Sequence, residues 1–551
     1  MPVVEVDKED LERLVSTELP PSLLEGLLAS LKCEVERIEG SEIKYEIERD
    51  RPDLFSTEGL ARALRGLLEI ETGLREFKVE GPFVTMVVDG PDYRPYALGA
   101  VVKGLRLDDE ALKQIMGLQE KLHETYCRRR RKVSIGIYDL SKVTPPIYYS
   151  SVKKDEILFT PLGHDKAMGL DEILTLTDKG REYGHLLMAP TYPILRDSEG
   201  RVLSLPPIIN SEDTAVEEST RDVFIDVTGT DLRLMKEVLS VMVTSVAERG
   251  ESIGLVKVTS KGSSSSSPDL APTVFELKLS YVHRVLGLKL GEKDVVRALL
   301  KMRHSVREGG ESLVVEVAPY RLDILHQVDL IEDVAMAYGY DRLPYELLPS
   351  TSPGRIASIE FLSRKLRDIM IGLGFQEIAN YMFSNDEVLL KKMRIEGVGL
   401  IRVENPKSST YTALRNWIIP QLIQVHAENR GAGYPQKIFE VGDIVLPCES
   451  TDVRAVTRRH LACSIASKDA TLTDVLVTLK ALFKALNVNY RLEPLSHPSF
   501  IEGRAAKIKV GERDAGLLGE VHPEVLYNFE VTVPIVVLEV DVTELLGLII
   551  G

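Results

Sequence analysis

Ala318-Pro319-Tyr320-Arg321-Leu322-Asp323-Ile324-Leu325-His326-Gln327-Val328-Asp329-Leu330-Ile331-Glu332-Asp333-Val334-Ala335 is the most informative stretch of this chain. Asp329, Glu332 and Asp333 stand at i, i+3 and i+4, which predicts one acidic helical face, with Ile331, Val334, Ala335 and Tyr338 turned the other way. Asp323 precedes this helix and could fold back over its start. Acids so placed repel one another unless something positive compensates. Two readings follow from the spacing: a hard-cation site, since Mg²⁺ needs only one or two carboxylates plus waters, or a solvated helix whose first turn is acidic because the dipole favours it.

The surroundings make this helix the end of a compact block, residues 269–346. A strand is expected at Val274–Leu279, a helix capped by Ser280, another opening at Glu292-Lys293-Asp294, and a strand at Leu313–Val317. That mixture suggests a small, winged-helix-like module. Just before it, residues 263–268 hold Ser263-Ser264-Ser265-Ser266-Ser267-Pro268, which reads as a flexible loop or linker. Residues 86–262 mix short strands and helices. Residues 1–85 include the alternating strand Ile43–Ile47 and Asp50-Arg51-Pro52-Asp53-Leu54, followed by a helix with Ser56 as N-cap, Leu60, Leu64 and Leu67 on one face and Gly66 near its end. Residues 353–551 are expected to start with a helix at 359–372. Strands are expected there at Leu400–Val403, Lys437–Val441, Leu461–Ser467, Ala506–Val510 and Ile535–Val540. Strands and helices segregated in this way favour a multidomain α+β protein over a doubly wound sheet.

The chain has 551 residues, 44% apolar and 28% charged, an ordinary globular balance with material for several cores. A formal charge of −16 argues against a protein that coats nucleic acid nonspecifically. One local exception is Arg128-Arg129-Arg130-Arg131-Lys132, either a solvated basic face or a contact for an anionic backbone. Cys33, Cys127, Cys448 and Cys463 have neither metal-ligand spacing nor the density of a disulfide framework, which fits a reducing, cytoplasmic setting. Neither a signal peptide nor a membrane span is expected.

Several motifs, in order along nearly the whole chain, resemble the phenylalanyl-tRNA synthetase β-subunit family of the archaeal/eukaryotic type. They are Asp50–Leu54 through Ala61–Gly66; Tyr320–Asp323 with Asp329–Ala335 and Tyr338–Pro344; Val403-Glu404-Asn405-Pro406 with Leu414-Arg415; Ile438–Asp443; His497–Ala505; and Gly519–Glu524. The resemblance implies Mg²⁺ ligands, shared with an α subunit, at Asp323, Asp329, Glu332 and Asp333. It implies an (αβ)₂ heterotetramer in which ATP and phenylalanine bind the α subunit. It also implies that tRNA(Phe) is a partner and that residues 86–262 form a mixed α/β editing domain that hydrolyses mischarged Tyr-tRNA.

A second site has a physical rationale. A pocket shaped for phenylalanine rejects an analogue that merely adds a hydroxyl by only about a hundredfold. A site that hydrogen-bonds the tyrosine hydroxyl discriminates far better, because phenylalanine would leave a buried polar group unpaired. The candidate is Leu203–Ser211, especially Asn210 and Ser211, paired with the strand Asp222–Thr230, where Phe224, Asp226 and Thr228 share a face. An acid and a hydroxyl two residues apart can bind an amino group and position water. A capped loop followed by an edge strand is the plainer alternative. Since no Ser-His-Asp set is visible, direct attack by water is expected. The basic run precedes Val133–Leu140 as in the family, but the sequence departs from the family at Thr125-Tyr126-Cys127.

The last block resembles a class II synthetase core, an antiparallel-sheet domain, that has lost catalysis. The stretch Gly516–Pro523 lacks the arginine such a core uses for ATP. Arg415 and Glu440 read as a structural pair, and His426 and His460 lack metal-partner spacing. The rival readings are an assembly scaffold with a decayed editing site and a nucleic-acid-binding regulator. The acidic third block argues against the second of these.

Overall fold

The computed structural model describes residues 2–260, 262–309, 312–347 and 352–550. The chain forms two compact units, Met1–Glu346 and Leu347–Gly551, each with its own sheets, so the architecture is multidomain α+β.

The first unit is built on a ten-stranded mixed sheet. From one edge its strands run Ile209–Asn210, Val202–Leu205, Tyr192–Arg196, Ile147–Val152, Val79–Asp89, Ser252–Ser260, Tyr96–Lys103, Val223–Gly229 and Val133–Asp139. Val79–Asp89 pairs parallel with both of its neighbours, while the remaining pairs are antiparallel. This strand runs straight through the boundary expected at residue 85. The tenth strand is Ser263–Ser267, which corrects the expectation of a flexible linker. Tyr96–Lys103 pairs with Ser252–Ser260 only as far as Leu255, and the serine strand takes over from Val256 to Ser260. Free backbone groups on that edge, rather than serine side chains, supply the pairing. Ser267 is buried, and its hydroxyl donates to the Gly99 carbonyl at 2.6 Å.

Two three-stranded sheets flank this one. One joins Val3–Asp7, Glu42–Glu46 and Glu34–Glu39. The other joins Thr273–Lys278, Ser312–Val317 and Ser305–Glu308, packed on helices Leu279–Leu286, Glu292–Lys301 and Gln327–Tyr338. Ser280 lies inside the first of these helices rather than capping it. The helix after the Asp50–Leu54 motif spans Thr57–Leu67; Ser56 stands at its N-cap position without a side-chain cap, and Gly66 lies within it. Gly66 is required by close packing, because a Cβ there would strike the Lys301 carbonyl. Buried arginines bind these parts together. Arg249 donates to Asp10 and Glu58, Arg62 pairs with Glu248, and the Arg62 guanidinium stacks 3.7 Å from the centre of the Tyr320 ring.

The second unit carries a seven-stranded sheet ordered Gln376–Glu377, Gln436–Pro447, Ala455–Ala466, Ile535–Asp541, Arg513–Val521, Phe500–Val510 and Arg491–Pro494. Alternation sorts its side chains between two cores. Val536, Leu538 and Val540 face helices Ser358–Gly372, Leu472–Ala485 and Val542–Ile550, while Ile535 and Val537 face helix Ile419–Glu428. The expected strand Leu400–Val403 is reduced to a single bridge between Arg402 and Ala413.

This unit encloses largely buried ion pairs. Arg415 pairs with Glu440 at 2.7 Å, both buried. The Glu539 carboxylate accepts from the backbone N–H groups of Ile418 and Ile419 and lies 2.8 Å from His460 Nδ1. Burial alone would lower the His460 pKa, but Asp541 and Glu539 outweigh it and raise it to about 9. A histidine whose folded pKa is raised contributes stability that is complete below its ordinary value near 6.5 and fades as pH rises through 9. The His460 contribution is on the order of 3 kcal/mol. Thermal melts between pH 7 and 10 are therefore expected to show a falling midpoint that largely flattens in His460→Gln; an identical slope in the variant would refute this linkage.

Candidate editing site and the acidic cluster

Strands Val133–Asp139 and Val223–Gly229 lie side by side in a register that sets Thr228 opposite Ser134, Asp226 opposite Gly136 and Phe224 opposite Tyr138. Side chains of opposed residues share a face, so this pairing assembles a polar row. The row opens on a cavity of about 350 Å³ whose lining also includes Ser204–Ser211, Glu120 and Lys179. Its size suits a small-molecule moiety.

Asp226 lines the cavity and is buried. Its carboxylate accepts a 2.6 Å hydrogen bond from the Tyr138 hydroxyl, which also lies 2.8 Å from Ser204 Oγ. Burial pushes the Asp226 pKa up to about 7, against the opposing pull of Tyr138 and Arg94. Gly136 makes the reach possible: a Cβ there would land on Tyr138 Oη and Asp226 Oδ1. Asn210 and Ser211 line the wall, with the Ser211 hydroxyl donating to the Thr160 carbonyl at 3.3 Å. Thr228 is fully buried behind the wall and is absent from the cavity lining, so it does not face the cavity as its shared strand face suggested. The cavity lining includes no histidine. His123 is buried nearby, and its Nε2 accepts from the Ile135 N–H.

The basic run is divided. Arg128, Arg129 and Arg130 all have positive φ, at 50°, 52° and 59°, a conformation that L-residues seldom hold consecutively. The twist leaves Arg128, Arg129 and Arg131 exposed and Lys132 half-buried near Asp231. It drives Arg130 inward, which corrects its assignment as a surface cation. Arg130 donates to the carbonyls of Pro207 and Ile208 and pairs with Glu120 at 2.7 Å. It thus fixes the cavity wall. Sequence reasoning missed Ser134, Tyr138, Glu120, Lys179 and Arg94, while Ser204 lies within the Leu203–Ser211 stretch it singles out. The alternation within Val133–Asp139 would have put the first two on one face; nothing local pointed to Arg94.

The four acids of the third block do not converge. Arg321 donates to both oxygens of Asp323, at 2.9 and 2.6 Å, and reaches Asp333 at 2.8 Å. His304 Nε2 lies 2.6 Å from the same Asp333 carboxylate. Burial raises the pKa of both acids, but Arg321 overrides it and holds each below the ordinary carboxylate range. Asp329 folds back to accept from the N–H groups of Leu325 and His326, both at 2.8 Å. Glu332 points outward to Lys32, 3.3 Å away. Among the described residues no group of three or more His, Cys, Asp or Glu is placed to hold a metal ion. With two acids neutralised by arginine and one capping its own helix, this donor set does not fit a Mg²⁺ site. The single face expected for Asp329, Glu332 and Asp333 is also corrected, because Asp333 is buried with the apolar side.

Residues 346–542 match the family profile described as phenylalanyl tRNA synthetase beta chain CLM domain, 275–340 the tRNA synthetase B5 domain, and 123–249 the B3/4 domain. These matches place the chain among components of aminoacyl-tRNA ligases. A phenylalanine–tRNA ligase beta subunit of Thermofilum pendens is 46% identical over 545 residues, covering 98% of both chains. One from Pyrococcus horikoshii is 42% identical, covering 98% of this chain and 99% of that one. A crystal structure of an N-terminal fragment of the phenylalanyl-tRNA synthetase beta subunit from Pyrococcus horikoshii aligns with a TM-score of 0.59 at 44% identity, covering 62% of this chain and all of the fragment. The chain belongs to the phenylalanine–tRNA ligase β-subunit family. No helix among the described residues is long and apolar enough to cross a membrane.

Proposed function

We propose that this chain serves a cytoplasmic (αβ)₂ phenylalanine–tRNA ligase as its tRNA-contacting and proofreading subunit, and that the cavity beside Asp226 hydrolyses Tyr-tRNA(Phe). The observation that carries the reading is a buried carboxylate with a pKa near 7 at the end of a polar row, in a cavity of suitable size. Asp226 and Tyr138 orient the substrate and the attacking water, Asn210 and Ser211 shape the wall, and Arg128, Arg129, Arg131 and Lys132 contact the tRNA backbone. Thr228 acts from behind the wall, and Arg130, itself part of the cavity lining, holds the Pro207 and Ile208 carbonyls in place.

ATP and phenylalanine bind the α subunit. This fits the buried Arg415–Glu440 pair of the second unit, whose guanidinium is already neutralised. Mg²⁺ belongs with those phosphates, where one or two carboxylates and waters suffice; no step here runs through it. Co-expressed α and β chains are expected to elute as one complex that charges tRNA(Phe) with phenylalanine and deacylates Tyr-tRNA(Phe). A complex that charges but never deacylates would leave a scaffold, not an editor.

A further inference from the structure

The hydroxyl row contains one proton whose direction is forced. Arg94 is buried. Its Nη2 donates to Ser134 Oγ at 2.9 Å and to the Thr228 carbonyl at 2.7 Å, its Nε to Thr228 Oγ1 at 3.2 Å, and its Nη1 to the Arg130 carbonyl at 3.2 Å. An arginine has only donors, so both hydroxyl oxygens must accept from it. Ser134 Oγ and Thr228 Oγ1 also lie 2.9 Å apart, and one of them donates to the other.

Burial decides which. If Ser134 donated, the Thr228 proton would be left inside a fully buried site with no acceptor among the described residues. A donor left unmade in a site closed to water is strongly disfavoured. If Thr228 donates, every hydrogen bond behind the wall is made, and the Ser134 proton is the one left over. Ser134 lines the cavity. Its oxygen already accepts from Arg94 and Thr228, so toward the cavity it can only donate. A buried guanidinium polarises that donor from behind.

We infer that Ser134 is a catalytic residue of the editing site, whose O–H donates to the carbonyl oxygen of the aminoacyl ester as it becomes an oxyanion, with Arg94 and Thr228 as the positioning residues that fix its direction. This rests on the hydrolytic reading above and deepens it. A water oxygen forms the new bond to the ester carbon, and the carbonyl electron pair moves onto the oxygen facing Ser134. The bond to the ribose oxygen then breaks, and the proton lost by water ends on that ribose oxygen. The products are free tyrosine and tRNA with its terminal hydroxyl restored, and Ser134 keeps its own proton throughout. Such a donor is preorganised for the transition state more than for the planar ester, so its loss falls on kcat.

The test uses the α/β complex with Tyr-tRNA(Phe). Ser134→Ala is expected to lower kcat for deacylation by about 10²–10³-fold with KM nearly unchanged and, because it strands the buried Thr228 proton, to lower the unfolding midpoint modestly, while phenylalanine charging holds. Ser134→Cys, a weaker donor, is expected to fall between Ala and wild type. Thr228→Val, which frees the Ser134 hydroxyl to turn, is expected to lose about tenfold, within the range for one misdirected hydrogen bond. Wild-type kcat in Ser134→Ala, or a loss confined to KM, overturns the assignment. Should Ser134→Ala fail to fold, Cys at the wild-type rate overturns it equally. Wild-type complex inert toward Tyr-tRNA(Phe) is a different failure: it removes the hydrolytic reading itself, and this inference with it.

Discussion

Asp226→Ala is expected to slow hydrolysis of Tyr-tRNA(Phe) by roughly 10³-fold, within the range for loss of a positioned acid–base group, while phenylalanine charging by the complex is retained. The contrast follows from location: the carboxylate lies in the cavity of the first unit, and activation is assigned to another subunit. Its pKa near 7 adds a second expectation. Only the carboxylate form can accept a proton from water or hold an ammonium group, so deacylation should rise with pH through an inflection near 7, and Asp226→Asn should lack that inflection. Stability should move the opposite way. A carboxylate whose folded pKa is raised from 3.8 to about 7 lets stability fall as pH climbs between those values. Asp226→Asn is therefore expected to hold its melting midpoint at pH 8, or raise it, while losing activity, a trade-off common at functional sites. Deacylation that survives Asp226→Ala, or a profile flat across pH 6–8, would remove Asp226 from the mechanism.

What the sequence disclosed was periodic and local. Helix Gln327–Tyr338 and the strands near Lys437 and Ile535 rest on spacing along one segment, whereas the wall residues Asn210, Ser211 and Asp226 are singled out through the family resemblance. What it hid depends on partners far away in the chain. Thr228 shares a strand face with Asp226, yet only the distant Arg94 and Ser134 decide that its hydroxyl points away from the cavity. The serine run has no apolar pattern to mark it as a strand. Its pairing exists because Ser252–Ser260 has an edge left free where Tyr96–Lys103 ends. Arg130 counts as one of five consecutive cations by composition, and only three successive left-handed residues turn it inward. The acidic helix failed differently: Arg321 stands within the quoted stretch, twelve positions before Asp333, and its charge could have been weighed as the compensating partner in place of a metal.

Arg321→Ala is expected to destabilise the first unit by about 3–5 kcal/mol at neutral pH, the cost of stranding buried carboxylates without their cation. Asp323 and Asp333 share this one guanidinium; beyond it Asp323 feels only the through-space charge of Arg51, and His304 beside Asp333 has its own pKa lowered by burial, so neither is a good substitute. In the wild type the two acids have depressed pKa values. Their contribution is present above the ordinary carboxylate range and is lost only as pH falls below it. Without Arg321 the sign reverses at Asp333: burial then outweighs the weakly basic His304 and raises its pKa, and the variant should lose stability as pH rises from about 4 toward 8. Arg321→Met combined with Asp323→Asn and Asp333→Asn removes the charges together and should recover much of the loss. The same melts decide between an arginine lock and a metal site. A magnesium site on this chain would raise the midpoint with ion concentration, by about 2.7 kcal/mol at a hundredfold excess over Kd. The lock predicts no shift beyond the ionic-strength effect of a matched sodium salt. A magnesium-specific rise in the wild-type chain, abolished by Asp333→Asn, would show that the carboxylates release Arg321 to bind the ion, and the lock would have to be abandoned.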